Sequence, residues 1–414
     1  MLHLQSGLGI VVLIVIAWAF SENRRKFQWR IVAGALALQL IIAFILLKSP
    51  RAQALFQGLN AVTDCVQRAT QAGTSMVFGF AGGGAAPFVV ANPEHNFILA
   101  FQALPIILVV SVLSSLLYHW RILPLTVKGF SFLIKKTTGI SGAVGLGVAA
   151  NIFVGMVEAP LLVRPYVEKF SRQDMFVTMT AGMATIAGTV LMLYAFILSK
   201  TVPEALGHIL TASIISAPSA ILFAVVMVPG EPGSRDEKVE FLQTAESTMD
   251  ALVKGVESGI SLLINVVAML IVLVALVALV NMVVGLVPGP GGTPMSLERF
   301  LGWGMAPVVW LTGIPWREAT AAGQLMGIKT ILNELIAYQR LAALAPEVLS
   351  ERSRIIMTYC LCGFANFGSL GIMIGGLKTI APERTREILS LGFKSILSGT
   401  LATLLTGCIV GVMI

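Results

Sequence analysis

The chain has 414 residues; 56% are hydrophobic and only 12% are Asp, Glu, Lys or Arg. A soluble domain carries about 25% charged residues, so ordinary soluble enzymes, disordered chains and secreted disulfide scaffolds are excluded and a polytopic membrane protein remains. The net charge of +7 fits Lys and Arg held in cytoplasmic loops, and no basic block is long enough to be a nucleic-acid arm.

Crossing the hydrocarbon takes about 20 residues. Spans are expected near 5–21, 31–48, 97–118, 174–199, 208–228, 258–287, 355–377 and 388–413. The first lacks a basic leader and is followed by Arg24, Arg25, Lys26 and Arg30, so it reads as a retained span. Those residues, with Arg121, Lys128, Lys135 and Lys136 after the third span, put both loops in the cytoplasm and the N-terminus outside. Residues 50–70 and 235–256 are amphipathic and read as interfacial helices, the second with the polar segment Gly230 to Lys238. Cys65, Cys360, Cys362 and Cys408 show no zinc or CxxC spacing. His3, His95, His119 and His208 lie at the ends of apolar runs, which argues against a histidine proton relay.

Two apolar regions are too interrupted for simple spans. Thr138 to Tyr166 and Thr312 to Tyr338 each contain Gly and Pro and carry a glutamate near the middle. Each reads as two half-helices joined at membrane depth, a re-entrant hairpin tolerated only against protein or a water-filled cavity. They resemble each other. Thr138-Gly139-Ile140 precedes Glu158 as Thr312-Gly313-Ile314 precedes Glu334. Downstream, Gly182-Met183-Ala184-Thr185-Ile186 aligns with Gly363-Phe364-Ala365-Asn366-Phe367. The first hairpin follows cytoplasmic Lys135-Lys136 and the second follows the outward loop Pro288–Pro294, so the repeats are inverted. Inverted repeats with interrupted helices mark a secondary transporter with its site near the midplane.

Glu158 and Glu334 are the sharpest chemical features, because a charge at the bilayer centre costs roughly 2.5–3.5 kcal/mol on insertion scales. They either bind a substrate or ion, or sit at the interface or beside a cation such as Arg164 or Lys329. Asn366 and Ser369 lie in a Gly-rich stretch that can unwind and free its carbonyls, or can pack helices through small residues. Asn151, Thr185 and Asn333 share that ambiguity. A hydroxyl with freed carbonyls suits a hard monovalent cation. Phe364 and Phe367 flank Asn366 and either stack on a flat ligand or pack. A channel would need a continuous polar pore, and an intramembrane enzyme a nucleophile–base or metal cluster; neither pattern is in the sequence.

The stretch Gly327-Ile-Lys329-Thr-Ile-Leu-Asn333-Glu334-Leu-Ile-Ala337-Tyr338 resembles the G-x-K-x3-N-E-F-V-A-aromatic signature of concentrative nucleoside transporters. Gly155-Met-Val-Glu158-Ala-Pro160 resembles that family's first hairpin tip, and Cys362-Gly-Phe-Ala-Asn366 its seventh span. The resemblance covers nearly the whole chain. It implies an all-α membrane protein with eight transmembrane helices, two re-entrant hairpins in inverted repeats, and interfacial helices. It also implies a homotrimer in the inner membrane whose transport domain moves like an elevator. On that reading residues 1–118 and 229–295 hold the scaffold spans and interfacial helices. Residues 119–228 and 296–414 are the two transport repeats. By resemblance, Glu334, Asn366 and Ser369 hold the ribose; a carboxylate and an amide suit hydroxyls that both donate and accept. Gly155, Met156, Val157 and Glu158 face the base, with Phe364 packing near the nucleoside. Sodium falls to the backbone of Asn151, Val154 and Ile186 and to Thr185 through backbone and hydroxyl; no other cofactor is expected.

The sequence departs from the family pattern at the first tip. Many members place Gln and then Thr or Ser before the glutamate, where this chain has Met156-Val157. A Gly-Met pair resembles the purine-preferring branch, and a flexible Met accommodates a larger base. Leu335-Ile336 replaces Phe-Val, and Thr185 replaces Ser while keeping the hydroxyl. The expected function is sodium-coupled import of nucleosides, purines favoured. The alternative is proton-coupled uptake of pyrimidine or modified nucleosides through Glu158 or Glu334.

Overall fold

The computed structural model describes residues 1–90, 96–231, 245–289 and 294–414. His95, most of Gly230–Lys238 and the middle of the Pro288–Pro294 loop lie outside the described residues. Within them the architecture is helical, with one isolated bridge between Pro288 and Pro294.

The chain opens with α1 (Leu2–Ala19), α2 (Trp29–Lys48) and α3 (Pro50–Phe78), the last longer than the amphipathic run at 50–70 suggested. A π-helical turn at Leu99–Ala103 leads into α4 (Ile106–His119). Then come α5 (Ile122–Thr138), the first hairpin as α6 (Gly142–Asn151), α7 (Glu158–Leu162) and α8 (Arg164–Val167), and the fourth span as α9 (Arg172–Ala184) and α10 (Gly188–Leu198). Next are α11 (Ala205–Met227) and α12 (Thr248–Val284). The second repeat has α13 (Leu297–Trp310), the hairpin α14 (Trp316–Ile331) and α15 (Glu334–Ala343), the seventh span as α16 (Glu351–Leu361) and α17 (Phe367–Ile380), and α18 (Thr385–Met413).

Seven helical stretches among the described residues are long and apolar enough to cross a membrane, with 172–198 counted as one despite its break. The remaining expected span is split into α16 and α17, each too short alone. The second expected interfacial helix is corrected in part. Residues 248–256 are the first turns of the 37-residue α12, and 232–244 are not described. Ser247 caps α12 by accepting from the Asp250 N–H. Gly255 and Gly259 then let α12 approach α4, where a Cβ would meet the Val112 Cα at 2.7 Å and the Leu108 Cα at 3.1 Å. The charged start of α12 is therefore fixed to α4 by packing, which an amphipathic pattern does not reveal.

The inverted repeat is visible in detail. Gly139 and Gly313 both take positive φ, 70° and 95°, at the entrance of their hairpins. This is a conformation open to glycine without a Cβ penalty. The preceding threonines both turn their hydroxyls back onto the chain, Thr138 to the Ile134 carbonyl at 2.7 Å and Thr312 to the Val309 carbonyl at 2.6 Å. The repeat extends upstream to a helix before each hairpin, α5 and α13.

The core is built by α9, α11 and α18, which pack on one another. Ser216 and Thr406 share a hydrogen bond at 3.1 Å, and Ser219 donates to the Ala402 carbonyl at 3.0 Å. α1 packs on α18 and α2 on α11, while α12 packs on α4. Much of α12 is exposed apolar surface, including Ile264, Ile271, Leu279 and Met282, suited to lipid or to another protein surface.

Candidate functional site

Each broken span places two helix ends inside the protein, and the two breaks meet. The Phe364 N–H donates to the Thr185 carbonyl at 3.3 Å. At Gly363 a Cβ would lie 2.9 Å from the Ala184 carbonyl oxygen, so only glycine fits this crossing. The turn of the first hairpin rests on the first break, where the Gly188 N–H donates to the Phe153 carbonyl at 3.0 Å.

Both glutamates begin the second half of their hairpin. Glu334 is the first residue of α15 and Glu158 the first of α7, where the helix dipole favours a negative charge. Asn333 caps α15 by accepting from the Ile336 N–H at 2.9 Å. Asn366 caps α17 with its Oδ1, taking the Ser369 N–H at 2.7 Å, and turns its Nδ2 onto Glu334 Oε2 at 2.9 Å. The other Glu334 oxygen accepts from the Tyr194 hydroxyl at 2.6 Å. No ion pair joins Glu334 to Lys329 among the described residues. The Lys329 ammonium is buried and donates to the Cys360 carbonyl at 2.8 Å and to Thr403 Oγ1 at 2.9 Å, at the C-terminal end of α16, where a cation is favoured.

The structure gathers Gly155, Met156, Val157, Glu158, Glu334, Phe364, Asn366 and Ser369 around one cavity of about 150 Å³. Asn333 lines it too, whereas Phe367 packs against Phe393 with ring centroids 6.3 Å apart. Met156 is buried beside Gly182, and Val157 abuts Gly376 of α17. Glu158 is exposed to the cavity, its carboxylate folded over Gly155. With Gly155, Thr189 and Leu262 it also lines an adjoining cavity of about 370 Å³ that runs along α4 and the start of α12 past Ser114, Glu257 and Ser258.

Three polar cavity residues escaped the sequence reading: Tyr194, Thr189 and Asn265. A signal existed for two of them. A lone Tyr in Leu193-Tyr-Ala-Phe196 and a lone Asn in Leu263-Ile-Asn265-Val must each find a polar partner or a cavity in lipid.

The residues expected to take sodium gather around the first hairpin turn and the first break. Asn151 and Thr185 are each 1% exposed and Ile186 is buried; Val154 is half-buried. The Asn151 Nδ2 donates to the Gly147 carbonyl at 3.3 Å, while its Oδ1 is buried without a hydrogen-bond partner. An orphaned oxygen beside a helix break, in an all-oxygen donor set, fits a hard monovalent cation.

Two inverted repeats, each with a hairpin and a broken span, meeting around a buried carboxylate define a secondary transporter. Residues 8–81 and 208–411 match the family descriptions "Na+ dependent nucleoside transporter N-terminus" and "C-terminus", and residues 100–201 match "Nucleoside recognition". The chain is 34% identical to the "Nucleoside permease NupC" of Helicobacter pylori, covering 99% of this chain and 98% of that one. It is 32% identical to the human "Solute carrier family 28 member 3", covering 98% of this chain and 59% of the longer human protein. It superposes on the structure of CNTnw in an inward-facing substrate-bound state with TM-score 0.90 at 34% identity, covering 100% and 98% of the two chains. The chain belongs to the concentrative, Na+-dependent nucleoside transporter family, whose members are transporters and not enzymes.

Proposed function

We infer that this protein imports nucleosides across a cell's inner membrane, with sodium as the coupling ion. The observation that carries this reading is the Glu334 carboxylate, 4% exposed yet facing a cavity, with Tyr194 and Asn366 on its two oxygens. A carboxylate, an amide and the Ser369 hydroxyl can together bind a vicinal diol. The base would lie toward Glu158, between Met156, Val157 and Phe364. Apolar groups before Glu158 make no bonds to a base edge, so shape favours the larger purines. Sodium at Asn151, Val154, Thr185 and Ile186 would brace the first hairpin turn and raise substrate affinity by linkage.

Movement would carry the cavity as a unit, the two repeats sliding against α4 and α12 in elevator fashion. The sequence division groups α1 and α2 with the static scaffold. Their packing on α18 and α11 instead supports their travelling with the repeats. The exposed apolar face of α12 suits the central contacts of a homotrimer, and the basic loops support an outside N-terminus.

The test is uptake of radiolabelled nucleosides into proteoliposomes with sodium and proton gradients imposed separately. Sodium-driven adenosine uptake, lost in Glu334→Ala with the fold retained, is expected. Uptake driven by protons alone would transfer the coupling to protons, and full uptake by Glu334→Ala would overturn the ribose assignment.

A further inference from the structure

We propose that Tyr194 is a positioning residue that presets the Glu334 carboxylate and thereby sets how strictly the site reads the sugar hydroxyls. This deepens the nucleoside reading and rests on it.

Tyr194 stands on α10, beyond the first break, and Glu334 starts α15 in the opposite repeat. The phenol is 2% exposed, and its hydroxyl donates to Glu334 Oε1 at 2.6 Å. That length belongs to the strong, charge-assisted class of hydrogen bond. The ring is held against Tyr338, with centroids 5.1 Å apart, and Tyr338 is itself anchored through its hydroxyl to the Thr358 carbonyl at 2.8 Å. The donor is therefore fixed by packing on one side and aimed at one oxygen on the other.

The consequence follows from counting acceptors. An ionised carboxylate offers two oxygens with about four acceptor positions. Tyr194 fills one position on Oε1, and Asn366 fills one on Oε2 at 2.9 Å. Each oxygen keeps one partner before any ligand arrives, and each keeps room for a sugar hydroxyl. Sites reject an analogue lacking a hydroxyl strongly when its loss leaves a buried polar atom unpaired. Here neither oxygen becomes unpaired when one hydroxyl is missing, so discrimination against a deoxyriboside is muted. Removing the phenol hydroxyl leaves Oε1 dependent on the sugar, and the site becomes strict.

The experiment measures uptake of adenosine, 2′-deoxyadenosine and 3′-deoxyadenosine by the full-length protein in proteoliposomes. Tyr194→Phe is compared with wild type and with Tyr359→Phe, which removes a buried hydroxyl that pairs with His208 at 2.9 Å and does not touch Glu334. In Tyr194→Phe the preference for adenosine over at least one deoxyriboside should rise by about tenfold or more, the scale of one hydrogen bond to a charged group. Tyr359→Phe should leave both ratios as in wild type. A Tyr194→Phe protein that loses all three substrates in proportion, with fixed ratios, has lost only a structural contact and overturns the proposal. So does a wild type that already excludes both deoxyribosides by more than about hundredfold, a measurement that needs no variant. Wild-type protein that takes up no nucleoside at all overturns the transport reading and the proposal together; uptake with unchanged ratios overturns the proposal alone.

Discussion

Glu334 is buried with both oxygens bonded to protein, whereas Glu158, its counterpart in the first hairpin, is exposed to two adjoining cavities. The first is held as a fixed template, and the second has room to move. What positions Glu158 is the space left by Gly155: a Cβ there would lie 2.1 Å from its Oε2. The clash is with the end of a flexible side chain, so Gly155→Ala should move the carboxylate without harming the fold. Its KM for adenosine should rise by about tenfold, the worth of a hydrogen bond to a charged group, while the melting temperature stays unchanged. Kinetics and thermal unfolding on one preparation separate the two effects. Beside it, Met156→Gln would give the tip an amide able to meet a base edge. Uptake of uridine relative to adenosine should rise by about fivefold, since a neutral hydrogen bond nets about 1 kcal/mol; competition uptake reads that ratio.

At the scale of elements, the two breaks depend on close backbone crossing. A Cβ at Gly363 would meet Thr403 Cγ2 at 2.7 Å and carbonyl oxygens of Ala184 and Met183 at 2.9 and 3.0 Å. Backbone cannot step aside, so Gly363→Ala should cost about 1–3 kcal/mol, as overpacking does. Gly371 in the next helix has nothing within 4 Å of a Cβ, and Gly371→Ala should be neutral or slightly stabilising. Thermal unfolding in detergent distinguishes the pair. These elements also mark what the sequence made legible. The Thr-Gly-Ile pairs, the two glutamates and the unwound stretches could be read because each violates the rule for a plain apolar helix: a turn, a charge or a run of small residues at membrane depth. Tyr194 and Asn265 each break an apolar run by one polar residue only, which the hydropathy of their neighbours hides. The helices α5 and α13 carry no such mark, because mixed polarity over 14 to 17 residues resembles a loop as much as a short helix. The continuity of α12 depends on its fit to α4, a tertiary contact with no local signature.

At the scale of the whole molecule, the ends of several spans are tied together on the face with the basic loops. Glu22, after α1, accepts from Arg172 at 2.8 Å and from Lys394 at 2.6 Å, joining α1 to α9 and α18. The hydrogen bond from Arg172 leads, with Lys394 adding, in holding the Glu22 carboxyl down at about 2, against an ordinary value of 4.5. A depressed carboxyl stabilises the fold fully above its unfolded value and loses that contribution as pH falls. Glu22→Gln should therefore unfold at a lower temperature than wild type at pH 7, and the difference should shrink below pH 4.5 and vanish only as pH falls below about 2. The same variant tests which parts move. If α1 stayed behind while α9 and α18 travelled, these ion pairs would break in every cycle, and their removal would change the transport rate. If α1 rides on α18, the pairs stay closed throughout and add stability alone. Partly exposed pairs of this kind contribute about 0–1 kcal/mol, enough to shift a melting curve. Glu22→Gln is thus expected to lower thermal stability while sodium-driven uptake per folded molecule stays at the wild-type rate. A faster or slower cycle would place α1 with the static part of the molecule.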